Sequence, residues 1–304
     1  MVDPNWGLTA KRQRLMRRAM ILAEIRAFFV TNGFLEVETP QRIPANAPEL
    51  YIDPIPSGNW ALLTSPELCM KRLLAADYPL IFQLCHCWRN AERGSKHLPE
   101  FTLLEWYRAH SDYHQLMLDC EHLLTRLVPS GQLNYQGYLV DITPPFERIT
   151  LEQAFSNYAP LSLDQVVEQN CFEEHYGQYV EPQLGRNKPT ILYDFPTSMA
   201  ALARIKPKEP QHAERFELYI AGLELANAFS ELNDESEQRR RFDNDEQQRR
   251  SAGKQPYPLP EPFLRELTNM PESAGIALGI DRLVMLLTDA KTIDQVVAFT
   301  PEEL

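Results

Sequence analysis

A carboxylate inside an apolar stretch is costly unless a cation or a metal meets it. The run Arg215-Phe216-Glu217, followed by Gly222-Leu223-Glu224-Leu225-Ala226-Asn227 and Ser230-Glu231, contains three of them. Glu217 and Glu224 are sensible Mg²⁺ ligands and Glu231 a sensible partner for an ammonium group. By their residues alone they are equally outward-facing strand carboxylates. Strict alternation also sends Glu224 and Glu231 to opposite faces, so a joint site requires a bulge or bend between them.

Neither a GxxxxGK[ST] phosphate loop nor a GxGxxG turn occurs in the 304 residues, so nucleotide phosphates would have to be met by side chains. Arg89 closes the apolar run from Pro79 to Trp88, Glu92, Arg93 and His97 occupy the turn, and Phe101 opens the next strand. A guanidinium suits bidentate phosphate contact, and a ring beside it can stack on a base. The same residues also fit an exposed charged hairpin. In Gly275-Ile276-Ala277-Leu278-Gly279-Ile280-Asp281-Arg282 the glycines allow close backbone approach, and Arg282 adds charge to a helix N-terminus, where anions bind well. Alone, that segment is also a plausible packing junction. Cys85-His86-Cys87 carries no second ligand pair at zinc spacing, and alternation puts His86 on the face opposite the two thiols, so no zinc site is expected.

Helical spacing from Lys11 to Thr31 ends at Asn32-Gly33, and Phe34 to Thr39 then alternates as a strand stopped by Pro40. Residues 41–59 read as a loop or short-strand excursion. Ser65-Pro66 introduces a helix over Glu67–Ala76, Pro79–Trp88 and Glu100–Arg108 form a long hairpin, and His114–Leu127 is an amphipathic helix. Beyond a weakly patterned stretch with a helix over Leu163–Cys171, strands are expected at Thr190–Phe195 and within Arg215–Glu231. Asp234–Arg250 reads as a charged, solvated helix, and Ala274–Leu278 as a strand feeding a helix over Ile280–Leu287. Paired strands separated by helices predict an α+β fold, an antiparallel sheet flanked by helices. A formal charge of -12, from 30 basic and 42 acidic residues, weighs against a broad nucleic-acid footprint. The basic run Lys11, Arg12, Arg14, Arg17 and Arg18 reads as a solvated helix face. Five cysteines without framework spacing, no apolar membrane span and no signal core predict a soluble, cytoplasmic protein with reduced thiols.

Taken together and in order, these segments resemble the three signature motifs of class II aminoacyl-tRNA synthetases. The helix and strand ending in Gly33-Phe34-Leu35-Glu36-Val37-Glu38-Thr39-Pro40 resemble the first, which forms the dimer interface in that family. Trp88-Arg89-Asn90 with Pro99-Glu100-Phe101 resembles the second, and Gly279-Ile280-Asp281-Arg282 the third. Thr64-Ser65-Pro66-Glu67-Leu68, Glu105-Trp106-Tyr107 and the run from Gly222 to Asp234 resemble the lysyl branch. The similarity begins at the first-motif helix and leaves no room for an anticodon-binding OB-fold. With Phe101 to Arg108 and Ala277, this points to the family of elongation factor P β-lysine ligases, paralogues of lysyl-tRNA synthetases. One catalytic domain over residues 1–304, with no anticodon-binding domain, is the expected organisation.

The resemblance implies ATP-dependent activation of lysine or (R)-β-lysine as an adenylate and its transfer to a lysine of elongation factor P. It implies ATP and Mg²⁺ as cofactors and a homodimer, with no tRNA partner and no membrane. Arg89 and Arg282 would be the catalytic residues, the first on the α-phosphate and the second on the outer phosphates. Asn90, Glu92, His97, Phe101, Glu224, Leu225 and Gly279 would complete the ATP site, with Phe101 stacked on adenine, and Glu217 and Glu224 would bind Mg²⁺. Glu67 and Glu231 would hold the distal ammonium, while Ser65, Pro66, Tyr107 and Asn227 orient the rest of the substrate. Ala277 stands where lysyl-tRNA synthetases carry glycine, and its methyl would disfavour the α-amino isomer. The sequence departs from the family pattern at Ala91, which precedes Glu92, and at Leu98 and Ala228. Three other readings compete. They are a tRNA-charging lysyl enzyme, a ligase making a small amide, and a catalytically silent paralogue acting as a regulatory binding module.

Overall fold

The computed structural model describes residues 6–304. Eight strands form one sheet: β1 (Leu35–Glu36), β2 (Leu80–Trp88), β3 (Glu100–Ala109), β4 (Glu147–Thr150), β5 (Thr190–Pro196), β6 (His212–Ile220), β7 (Leu223–Ser230) and β8 (Ser273–Gly279). Their spatial order is β1-β2-β3-β8-β7-β6-β5-β4. The six central strands pair antiparallel, as expected, and the outer pairs β1/β2 and β4/β5 are parallel. The fold is α+β.

Period-two alternation divides the sheet chemically. One face presents Phe82, Leu104, Trp106, Ile276, Leu278, Ala226, Ala228, Phe216 and Leu218 to the main core. That core is closed by helices α1 (Trp6–Thr31), α3 (Tyr113–Leu127) and α5 (Ile280–Leu287). The other face carries the polar residues and is roofed at one end by α2 (Glu67–Ala75), α4 (Glu235–Ser251) and the short helix Glu261–Glu266 around Leu68, Met70, Phe242 and Phe263.

Several elements are shorter or more numerous than their patterns predict. The strand expected over Phe34–Thr39 is reduced to Leu35–Glu36, followed by one further bond from Val37 N–H to the Phe82 carbonyl at 2.9 Å. Pro40 cannot extend that edge. The helix from Leu163 stops at Glu168, because Asn170 turns left-handed with φ 52° and Cys171 N–H closes back onto the Val166 carbonyl. The weakly patterned stretch also holds a small hairpin (Gln132–Tyr135 with Tyr138–Asp141), β4 and the helix Leu151–Tyr158. Capping boxes Thr150/Gln153 and Ser162/Gln165 start its two longer helices.

Two charged segments are less solvated than expected. In α1, Lys11 pairs with Glu303 at 2.7 Å and Arg18 with Asp281 at 2.5 Å. In α4, one face buries Gln238, Phe242, Glu246 and Arg249, so it is not a wholly solvated excursion. The Arg249 guanidinium, 2% exposed, donates to the carbonyls of Glu49 (2.7 Å) and Ile52 (2.9 Å) and to Asp53 Oδ1 (2.9 Å). It clasps a loop whose Asp53 carbonyl in turn accepts from Asn90 N–H at 2.7 Å. Arg249→Met takes the donor from two part-buried loop carbonyls at about 1–3 kcal/mol each, while Asp53 keeps Lys254 at 3.0 Å, so denaturant unfolding is expected to show a loss of roughly 3 kcal/mol. A loss below about 0.5 kcal/mol, the range of ordinary surface changes, would refute the clasp.

Candidate active site

A single rung across the sheet organises the polar face. Gln83 lies opposite Glu105, Glu105 opposite Ala277, Ala277 opposite Asn227, and Asn227 opposite Glu217. Paired residues project to the same side, so the two acidic segments and the β3 carboxylate share one surface. The pairing of β6 with β7 slips after Leu218↔Ala226 to Tyr219↔Glu224, leaving Leu225 as a bulge. That extra residue supplies the required change of face, and Glu224 joins Asn227 and Glu231 on the polar side. Leu225 itself is buried in the main core, so its side chain is turned away from an ATP contact.

At the α2 end of this face, two carboxylates hold one ammonium group and a third lies beside them. Lys71 and Glu231 are each 1% exposed, with Lys71 Nζ 2.6 Å from Glu231 Oε2 and also hydrogen-bonded to Glu67 Oε1. Ser65 Oγ donates to Glu105 Oε1 at 2.6 Å and accepts Glu67 N–H at 3.0 Å, while the Tyr107 hydroxyl donates to Glu105 Oε2 at 2.8 Å. Pro66 sets the start of α2, its carbonyl accepting from Cys69 and Met70 N–H. Burial raises Glu105 to about 7, with the Glu67 charge adding to the effect, and pushes Glu231 well above the usual carboxylate range. Burial disfavours the ammonium of Lys71, yet the Glu231 and Glu67 charges outweigh it and hold Lys71 protonated. The floor is Gly275, where an added Cβ would stand 2.2 Å from both Glu231 Oε1 and Tyr107 Cε1.

The phosphate side lies further along β2, β3 and β8. Arg89 stacks 5.0 Å over the Phe101 ring, sits 3.8 Å from Glu92 Oε1, and keeps its buried Nε without a hydrogen-bond partner. Ala91, between Arg89 and Glu92, turns left-handed with φ 61°. Arg282, in the first turn of α5, donates to the Glu224 carbonyl at 2.9 Å and approaches Glu224 Oε2 at 3.4 Å, and its guanidinium contacts His97 Nε2. Burial and the adjacent Arg282 charge hold the His97 pKa below its ordinary value, so the ring stays neutral. Gly279 is not a close-approach point, since a Cβ there meets nothing nearer than 3.9 Å.

The remaining acidic pair is partly committed. Glu217 takes Arg215 at 2.6 Å on Oε1 and the Tyr219 hydroxyl at 2.7 Å on Oε2, with the Tyr176 hydroxyl at 3.4 Å. Burial raises its pKa against the pull of Arg215, and Glu224 adds to the rise. Asn227 Oδ1 accepts from Arg215 Nε at 3.2 Å. Among the described residues no group of three His, Cys, Asp or Glu side chains converges as a self-contained metal cage. The donor set fits a cation that takes one or two carboxylates and completes its shell with phosphate and water oxygens. An orphaned guanidinium nitrogen beside a stacking ring fits a nucleotide phosphate in the same way.

Every candidate site residue from the sequence lies on or beside this face except the Leu225 side chain, while Leu98 and Ala228, where the sequence departs from the family pattern, are buried in the main core. Glu105 and Lys71 went unassigned. Glu105 has the signal of a lone carboxylate in the apolar strand Phe101–Tyr107, and Lys71 stands one helical turn from Glu67.

Residues 8–303 match the family model described as class II tRNA synthetases (D, K and N), and the chain belongs to this family. It is 40% identical over 319 residues to a protein of Salmonella dublin named "Elongation factor P--(R)-beta-lysine ligase", covering 97% of each chain. A protein of the same name from Erwinia tasmaniensis is 40% identical over 329 residues, again covering 97% of each. Synthetases of this class use ATP. All five cysteines are free, and among the described residues no helix is long and apolar enough to cross a membrane.

Proposed function

We propose that this chain activates (R)-β-lysine with ATP and passes the β-lysyl group to a lysine side chain of translation elongation factor P. The observation that carries the reading is the three-carboxylate pocket on the same sheet face as Arg89 and Arg282. A buried acidic pocket suits a substrate with two ammonium groups, and two arginines suit a polyphosphate. The substrate carboxylate attacks the α-phosphorus as the bond to the bridging oxygen breaks and pyrophosphate leaves. The acceptor amine then attacks the acyl carbon and AMP departs. Neither step needs a nucleophile from the protein, so catalysis is positioning and charge stabilisation.

In this reading Arg89 holds the α-phosphate, Arg282 the outer phosphates, and Phe101 the adenine, with Asn90, Glu92 and His97 alongside. Glu217 and Glu224 hold Mg²⁺, which neutralises phosphate charge when bound. Glu67, Glu105 and Glu231 take the ammonium groups, with Ser65, Tyr107 and Asn227 orienting the rest. The Ala277 methyl, between Glu105 and Asn227 on the rung, favours the β-amino isomer. A homodimer through α1 and β1 is supported by Met16, Met20, Val30 and Leu35, each more than half exposed. The chain, residues 1–304, functions as one catalytic domain in the cytoplasm, without tRNA.

The test supplies the protein with ATP, Mg²⁺ and either lysine isomer, adds elongation factor P or tRNA, and follows each acceptor by mass. A lysyl-sized gain on elongation factor P alone, greater with (R)-β-lysine, is expected. Gain on tRNA alone would overturn the acceptor assignment. No gain and no pyrophosphate exchange would point to a silent binding module.

A further inference from the structure

Lys71 occupies an unusual place for a pocket said to hold substrate ammonium groups. Its own ammonium is already there, 2.6 Å from Glu231 and bonded to Glu67. A buried lysine with two carboxylates is not an incidental surface pair, because removing it leaves Glu231, 1% exposed, without a cation. Counting the charges that face Glu231 gives Glu67 and Lys71 from α2 and Glu105 from β3, with the neutral Tyr107 hydroxyl beside them. Gly275 on β8 contributes only its backbone. With all three carboxyls ionised, three carboxylates and one ammonium leave two net negative charges.

We propose that Lys71 is a specificity-determining residue: its fixed ammonium cancels one of three clustered carboxylates and tunes the pocket to a substrate bearing two ammonium groups. The proposal rests on the reading of this pocket as the amino-acid site. The free oxygens of Glu67 and Glu231, together with Glu105, then receive the substrate, and Lys71 never leaves. Burial already raises Glu231 with Lys71 in place, and without the pull of Lys71 it keeps its proton to still higher pH, so that more of the protein must lose that proton before a second ammonium can bind. A raised carboxylate pKa weakens the ionised form below it, so the penalty is present at low pH and fades as pH rises.

The test compares Lys71→Met, Lys71→Arg and Lys71→Met/Glu231→Gln with the wild type in amino-acid-dependent pyrophosphate exchange between pH 6.5 and about 9. Lys71→Met is expected to raise the amino-acid KM about tenfold or more at pH 7, with the ATP KM unchanged, and the excess should shrink about tenfold per pH unit. Lys71→Arg keeps the charge and is expected to show the wild-type pH profile, and the double variant should lose the extra slope. Lys71 also lowers Glu105, and because both Lys71→Met proteins lose that pull alike, the difference between the single and the double variant isolates the Glu231 slope. A Lys71→Met KM that is unchanged, or raised equally at every pH, would overturn the proposal by assigning Lys71 to packing alone. Infrared difference spectra give a readout independent of turnover. The protonated-carboxyl band should grow in Lys71→Met relative to the wild type and fall back in the double variant, and an unchanged band in Lys71→Met overturns the charge role even if no diamino acid supports exchange. Wild-type protein inert toward every diamino acid would instead refute the functional reading.

Discussion

Arg89→Ala is expected to lower ATP–pyrophosphate exchange by on the order of 10²–10³-fold, the cost of removing one preorganised charge from a transition state. Arg89 directly follows β2, and its N–H is tied to the Pro99 carbonyl at 2.9 Å, so the side chain starts from a fixed point. Phe101 supports its guanidinium from below at 5.0 Å, and its Nε has no partner within the protein. The arginine is therefore rigid, and part of its hydrogen-bonding capacity is unspent. A lysine at the same position keeps a charge without the planar fork, and Arg89→Lys should recover only part of the loss. The melting temperature should stay close to that of the wild type, because the group satisfies no buried acceptor. Exchange within about threefold of wild type in Arg89→Ala would remove Arg89 from the phosphate site.

Gly275→Ala should have the next largest effect, and it should fall on the amino acid alone. Gly275 sits in the central strand β8, paired with Tyr107 on one side and Phe229 on the other, so hydrogen bonds on both edges prevent its backbone from retreating. The added methyl would lie 2.2 Å from Glu231 Oε1 and from Tyr107 Cε1, both in buried side chains. Overpacking of this kind costs about 1–3 kcal/mol of stability. Displacing a buried charge partner of an ammonium group costs roughly 2–5 kcal/mol of binding, on the order of 10²-fold or more. The expected result is a KM for the amino acid raised on the order of 10²-fold with ATP affinity retained. An unchanged amino-acid KM in a folded Gly275→Ala protein would show that the substrate lies elsewhere.

Local pattern and global geometry contributed different parts of this molecule. The long helix α1, the β2/β3 hairpin and the β8–α5 junction were legible because each has a strong local signal: helical spacing, an unbroken apolar run, a glycine followed by an apolar helix. Arg89, Phe101 and Arg282 were legible for the same reason, since each stands at the end of such an element. The stretch around β4 was not, because its strands are short and its helices are held mainly by caps and by the core around Phe155 and Leu192. The solvated reading of α4 failed because the bonds that bury Arg249 go to a loop about 200 residues away in sequence. No helical-face pattern encodes a partner at that distance.

The sequence by itself determined which chemical groups were available: guanidiniums for phosphate, carboxylates for ammonium groups and a divalent cation, and a ring for a base. Only the tertiary structure decided which of them meet. The bulge at Leu225, visible only once β6 pairs with β7, rotates Glu224 onto the face of Glu231. The approach of α2 to the end of β7 turns Lys71, by sequence one more cation on an amphipathic helix, into the countercharge of that pocket. Burial then sets how strongly Glu105 and Glu231 hold their protons, a property of neighbours that are distant along the chain.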